Sequence, residues 1–341
     1  MEKLFKLSQR GTDVKTEVIA GLTTFMTMAY VLAVQPAAIC GGDAAVVDVN
    51  GVVISKSAIM ISCALVSGLI TMLMAFYTNL PFALSTGSNF ILGAMIQSQA
   101  ISFGSAMLIT LVSGIIFVAL TVFGLRDLIV RVIPKNLKIA ISASIGFFIA
   151  YLGFKNSGIG SFANGIALGD ITAPAVLLSI GGLLLMIVLN ALNVKGAILI
   201  SILAITLIGI PCGVTQISGV AAVPDFSDLS NVMLNFDLSN VFTASGLILV
   251  FVCFFGDFFS TLGTVLAVAG RANMLDENGN LPGIERPFLV DAIGTCVGAL
   301  TGNTTVTTYV ESTSGVEAGG RSGLTSLVTG VMFLLTVFLA P

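Results

Sequence analysis

Four polar side chains stand in strongly apolar or broken segments of this sequence. They are Glu311 in Thr-Thr-Tyr-Val-Glu-Ser, Asp257 in Phe-Phe-Gly-Asp-Phe-Phe-Ser-Thr, Ser260 three residues beyond it, and Asn89 two residues after Gly87. A charge in an apolar segment is costly and usually faces a cavity or a partner, so each acid is a candidate for binding or proton transfer. Glu311 reads as an acceptor for the ring N–H groups of a ligand or as an acid that exchanges a proton. Its structural alternative is a buried neutral acid bonded to the surrounding threonine hydroxyls. Asp257 shares a helical face with Ser260 and Thr264 and reads as a site or proton-relay acid, or else as a tie between helices. The Asn89 amide offers both a donor and an acceptor to a ligand, and it also suits the cap of a half-helix that begins there. Asp291, near the start of an apolar run, is expected to be structural and favoured by the helix dipole.

Other chemistry is excluded by what the chain lacks. It contains no His, and its five cysteines (Cys40, Cys63, Cys212, Cys253, Cys296) show no metal-ligand spacing, so packing is the expected role of the thiols. No metal, no cofactor, no Ser-His-Asp device and no phosphate-binding Gly-rich loop of the ATP-driven pumps is expected. The expected class is not an enzyme.

The elements that must position these residues follow from composition. Of 341 residues, 56% are hydrophobic and 9% charged, with a mean hydropathy of +1.07, against about 25% charge in a soluble domain. The chain is therefore an all-helical polytopic membrane protein whose first partner is the lipid bilayer. A net charge of −3 offers no basic face to nucleic acid. The charged, amphipathic N-terminus carries no sign of a removed signal peptide.

Runs long enough to cross a bilayer fall near 17–38, 57–77, 82–98, 102–124, 137–154, 173–192, 196–213, 242–269, 287–301, 303–318 and 322–340, eleven in all. With the N-terminus inside, twelve basic residues fall on the cytoplasmic side and only Lys56 and Lys155 outside, so the positive-inside rule predicts a cytoplasmic N-terminus. The outer loops at 41–56 and 214–241 carry Asp43, Asp48, Asp225, Asp228 and Asp237. The basic stretch at 126–138 is expected to anchor at a membrane face, and the Phe251–Phe259 run to pack or face lipid.

The third and tenth runs are unlike the rest. Residues 79–90 contain Pro81 and Gly87, and residues 301–312 are dominated by Thr, so each is expected to open with a half that resists helix and to continue as a short helix. Irregular backbone at membrane depth survives only where protein or a cavity satisfies it, and paired broken spans in two halves point to a transporter's binding site. The breaks lie seven spans apart, as do the Gly/Thr/Phe-rich first and eighth spans. That spacing predicts two inverted seven-span repeats, fourteen spans in all, and the chain holds eleven.

These segments resemble the nucleobase-cation symporter-2 family, in its azaguanine-like branch of hypoxanthine, guanine and adenine permeases. The likeness is carried by Glu17 to Tyr30, by Gly87-Ser-Asn89, by Phe259-Ser-Thr-Leu-Gly-Thr264, by Thr307-Thr-Tyr-Val-Glu-Ser312 and by Gly319-Gly-Arg-Ser-Gly-Leu324. The resemblance implies a core of spans 1–4 and 8–11, a gate of spans 5–7 and 12–14, and short strands in spans 3 and 10 that sandwich the base. On this chain the core is expected at 1–124 and 242–341 and the gate at 125–213. The C-terminal three spans are expected to be absent, which makes the chain a fragment or a short variant.

The resemblance places the binding set on Gly87, Asn89 and Glu311; with Asp257, Ser260 and Thr308 these form the expected substrate-binding set. Glu311 and Asp257, as buried acids, are expected to couple protons, with Asp257's replacement of the family acid left open. Ser260 stands where the family's span-8 acid is expected, and Gln35 replaces an asparagine common at the end of span 1. The implied activity is proton-coupled import of a purine base across the cell membrane. The alternatives are another nucleobase, such as uracil or xanthine, or a non-transporting membrane subunit. A homodimer is an open partner.

Overall fold

In the computed structural model, four long helices begin where a short polar side chain takes up a free backbone N–H. Asp13 accepts from the Thr16 amide at 2.8 Å at the head of α2 (Val14–Met28), after a four-residue α1 (Glu2–Phe5). Ser55 caps α4 (Lys56–Thr78), Ser102 caps α6 (Phe103–Val122) and Thr243 caps α10 (Ala244–Arg271) in the same way. The structure describes residues 2–339 except 42, 88, 125–135, 137–139, 141, 142, 145, 146, 148, 149, 152, 156, 162–166, 193, 195, 196, 216–223, 225 and 278. The basic stretch 126–138 and most of the run 137–154 thus lie outside the described residues, as does Asp225.

Most of the remaining runs are found as helices. The first is α2 followed by α3 (Val31–Cys40), parted by a turn at Ala29 and Tyr30 and carrying Pro36 inside α3. After α4 come β3 (Leu84–Thr86), α5 (Phe90–Gln97) and α6. Further along are α7 (Pro174–Ala191), α8 (Ala197–Gly209), α9 (Leu229–Val232), α10, α11 (Glu285–Leu300), β6 (Val306–Thr308), α12 (Ser312–Glu317) and α13 (Gly323–Leu339). Among the described residues, five helical segments, Val14–Cys40, Lys56–Thr78, Phe103–Val122, Pro174–Ala191 and Ala244–Arg271, are long and apolar enough to cross a membrane. The third and tenth runs are broken as expected: each is a three-residue strand followed by a short helix.

Apolar side chains fill the space around these breaks. The Phe117 ring lies with its centroid 5.9–6.0 Å from those of Phe254, Phe258 and Phe288, all buried. Where backbones approach closely, the residues are small, as close helix contacts in a membrane require. Gly68 of α4 meets Gly330 of α13, and Gly21 of α2 meets Thr325 and Val328 of α13.

The tightest of these contacts is Gly93 in α5, where a Cβ would lie 1.8 Å from the backbone oxygen of Ala38. Neither backbone can yield without separating α5 from α3. Gly93→Ala is expected to cost about 3 kcal/mol, and a thermal melt in detergent reads the loss directly.

Two of the aspartates expected in outer loops, Asp48 and Asp237, act as structural staples. A hairpin of β1 (Ala45–Val47) and β2 (Val53–Ser55) leaves Asp48 buried, accepting from the amides of Asn50, Val52 and Phe103. Asp237 accepts from the hydroxyls of Ser102 and Ser239 and from the Asn50 amide group. The Ser102 hydroxyl, with the Ser239 amide and hydroxyl, holds the Asp237 carboxyl below the usual carboxylate range. At the opposite end, the Glu17 carboxylate accepts from the amides of Arg321, Ser322 and Thr325 and from the Thr325 hydroxyl, tying α2 to the head of α13.

Candidate functional site

The two broken spans meet. β3 and β6 pair antiparallel, with Leu84 opposite Thr308, Ser85 opposite Thr307 and Thr86 opposite Val306. Pro81 stops the preceding chain from continuing as helix, and the β-branched run Val306-Thr-Thr suits a strand. Two strands alone leave outward backbone groups unpaired, which membrane depth does not tolerate. A threonine on a neighbouring helix answers that need on each side. The Thr71 hydroxyl of α4 both accepts from the Leu84 amide at 3.0 Å and lies 2.9 Å from the Leu84 carbonyl. The Thr295 hydroxyl of α11 stands in the same relation to Val306, at 3.1 and 3.0 Å.

Gly87 continues the ribbon. Its amide donates to the Thr305 carbonyl at 2.6 Å, and its carbonyl accepts from the Thr304 hydroxyl. A Cβ there would lie 3.1 Å from the Thr305 hydroxyl oxygen, so glycine suits the close approach. Asn89 caps α5, its Oδ1 accepting from the Leu92 amide at 3.2 Å, while its Nδ2 lies 3.4 Å from Cys253 Sγ on α10. Both readings of Asn89 thus stay compatible, with the cap realised and the amide half-buried beside α10.

Asp257 lies one turn after Cys253 and is buried. Its Oδ2 accepts from the Thr295 hydroxyl at 2.7 Å, and its Oδ1 has no partner. The carboxylate is therefore joined to β6 through the same hydroxyl that closes the strand's edge, and one proton on Thr295 faces two acceptors. Ser260 is half-buried one turn further along α10, whereas Thr264 is buried. The neighbouring Thr261 donates its hydroxyl to Asp291 Oδ2 and lies 3.1 Å from the hydroxyl of Thr307.

Asp291 is structural for a different reason than the helix dipole. α11 begins at Glu285, which places Asp291 in the second turn, beyond the reach of the first-turn N–H groups. Its Oδ1 instead accepts from both the amide and the hydroxyl of Thr308, at 2.7 and 2.9 Å. Thr308 is accordingly 1% exposed with its hydroxyl engaged, and Thr307 is the half-buried hydroxyl of the strand. The spacing Asp291-x-x-x-Thr295 on one helical face was the available signal for this pair.

Glu311 immediately precedes α12, yet its carboxylate caps nothing there. Oε1 accepts from the hydroxyl of Tyr30, in the turn of the first span, at 2.6 Å, and Oε2 is buried without a partner. The hydroxyls of Thr307, Thr308 and Thr313 are engaged elsewhere, with Thr261, Asp291 and the Val310 carbonyl. Glu311 and Asp257 share no hydrogen bond: one is held by the first span and the other by α11. Gln35 Oε1 and Asn303 Oδ1 are also buried and unpartnered beside the ribbon, with Gln35 Nε2 on the Thr304 hydroxyl at 3.1 Å. The arrangement presents acceptors that lack donors, which is what a ligand rich in N–H groups, or a proton, supplies. Among the described residues no cluster suited to a metal ion occurs.

A largely helical membrane fold organised around two broken spans defines the class as a transporter, not an enzyme. The chain belongs to the permease family (Xan_ur_permease), whose model matches residues 15–341. It is 37% identical to the "Putative permease MJ0326" of Methanocaldococcus jannaschii, over 100% of this chain and 77% of that protein. It is 35% identical to the "Adenine permease AdeQ" of Escherichia coli, covering 75% of it, and 35% identical to the "Guanine/hypoxanthine permease PbuG" of Bacillus subtilis, covering 78%. Among solved structures, the transmembrane domain of the cyanobacterial bicarbonate transporter BicA superposes with a TM-score of 0.56 at 14% identity, over 94% of this chain and 81% of that one. That likeness concerns the fold alone.

Proposed function

We propose that the chain carries a purine nucleobase of the hypoxanthine, guanine or adenine kind across the cell membrane together with a proton. The observation that carries this reading is the Glu311 carboxylate, fixed on one oxygen by Tyr30 and left open on the other beside a paired-strand ribbon. A charge-assisted acceptor of this kind suits the N–H edge of a base and is stronger than a neutral one. The adenine and guanine/hypoxanthine permeases among the relatives support the substrate class. Gly87, Asn89, Asp257, Ser260 and Thr308 complete the proposed set: Asn89 offers its amide, Gly87 admits the base to the ribbon, and Thr308 shapes β6 through Asp291. Asp257 and Glu311 are the proposed proton carriers.

The matching grip of Thr71 on Leu84 and of Thr295 on Val306 supports two inverted repeats, with the core at 1–124 and 242–341 and the gate at 125–213. A cytoplasmic N-terminus completes the topology, and the site then lies near the membrane midplane.

Competition of unlabelled bases against a labelled purine, measured with purified protein in lipid vesicles, tests the substrate assignment. Hypoxanthine, guanine or adenine should compete best, and a preference for uracil or for an inorganic anion contradicts it. Ser260 enters the same assay. A hydroxyl donates as well as accepts, whereas a carboxylate only accepts and carries charge, so Ser260→Asp should move the ranking toward guanine and hypoxanthine by about 1–3 kcal/mol. An unchanged ranking would mean that this face of α10 does not touch the base.

A further inference from the structure

Among the described residues Tyr30 is the side-chain donor to the candidate substrate acid, and it comes from a part of the chain that the proposed site does not include. Its ring sits in the turn between α2 and α3. Its hydroxyl donates to Glu311 Oε1 at 2.6 Å, while Glu311 Oε2 is buried and unpartnered. The first span is fastened to the segment after Glu311 at two further points. Thr27 and Ser314 hydroxyls lie 2.8 Å apart, and a Cβ on Gly315 would overlap Thr24. The phenol therefore meets the carboxylate at a rigid seam between spans 1 and 10.

A phenol hydroxyl that donates to Oε1 requires that oxygen to remain an acceptor. A proton on Glu311 is then favoured on Oε2, because the carbonyl oxygen of a carboxylic acid accepts a hydrogen bond better than its hydroxyl oxygen does. Ionised, Oε2 accepts from a ligand N–H; protonated, Oε2 donates to a ligand ring nitrogen or carbonyl. We propose that Tyr30 is a positioning residue that directs both ligand recognition and protonation of Glu311 to Oε2, and so sets which edge of a base the site accepts. The proposal rests on the reading of Glu311 as the substrate acid. Titratable groups on neighbouring elements are Tyr309 of the β6 segment, Cys63 of α4, Glu17 at the far end of α2, and Arg271 with Glu317 paired at the far end of α12.

The test is Tyr30→Phe in the full chain. Tyr30 is 40% exposed, so deleting its hydroxyl opens no cavity in a closed core and leaves one specific change, an Oε1 without a donor. Infrared difference spectra between high and low pH, on protein in lipid, report the carboxylic C=O stretch of Glu311, identified by its loss in Glu311→Gln. With Tyr30 in place the C=O oxygen is hydrogen-bonded. In Tyr30→Phe the band should move to higher wavenumber.

In uptake assays the same variant should raise KM for bases presenting an N–H edge by about tenfold, with the maximal rate kept, the size expected for loss of one hydrogen bond to a charged group. A purely structural role would lower the amount of active protein at unchanged KM. A band that does not move in Tyr30→Phe, or the absence of any Glu311 band across the titration, overturns the proposal whatever the transport data show. A moved band in a protein that takes up no purine keeps Tyr30's role and sinks the substrate reading instead.

Discussion

Glu311→Gln should bind purine bases about 10- to 100-fold more weakly than the parent chain. The substitution preserves shape but converts a double acceptor into one acceptor and one donor. Tyr30 claims an acceptor, so either the amide oxygen stays on Tyr30 and an N–H₂ meets the ligand's own N–H, or the amide flips and breaks the Tyr30 contact. Each outcome forfeits one charge-assisted bond, which is worth about 1.5–3 kcal/mol. Equilibrium binding of a labelled base to purified protein measures it. Unchanged affinity would remove Glu311 from the substrate and leave it as a tie between spans 1 and 10.

Asp291→Ala should destabilise the chain by about 3–5 kcal/mol, because it leaves buried donors unsatisfied at about 1–3 kcal/mol each. Its carboxyl group, at 0% exposure, takes the amide and hydroxyl of Thr308 and the hydroxyl of Thr261, and of these three donors Thr261 alone has a second partner in reach, the Thr307 hydroxyl. Because Thr308 ends β6, the loss should loosen the ribbon and, with it, base binding. Asp291→Asn provides the control. Its oxygen can still accept from Thr308, and Thr261 can rotate to accept from the new amide, so most of the stability should return. Thermal melts of the two variants in detergent decide the matter. Equal melting points for Asp291→Ala and the parent would mean that β6 is held by its strand partner and Thr295 alone.

The spans and their two breaks were legible because hydropathy and helix-breaking residues act locally. Pro81, Gly87 and the threonine run at 304–308 interrupt otherwise apolar segments, and the structure breaks there. That the two breaks pair as strands was not readable from either segment. Leu84 and Thr308 are 224 positions apart, and only the family resemblance joined them.

The candidate site was legible in its acids and opaque in their partners. Glu311 and Asp257 announce themselves as charges in apolar surroundings. Whether each is held by Tyr30 or by Thr295 depends on how distant spans cross. Asp48 and Asp237 illustrate the reverse case. Read as acidic residues on the outer side, they turn out to hold a hairpin and a connecting loop to the head of α6. Loop charges carry no periodicity that would reveal such contacts.

Uptake of a labelled purine into vesicles holding only this protein, driven in turn by a pH gradient and by a sodium gradient, tests the central claim most directly. The account predicts accumulation when the outside is acidic, collapse of that accumulation with a protonophore, and indifference to sodium. Accumulation that follows sodium and ignores the protonophore would contradict it.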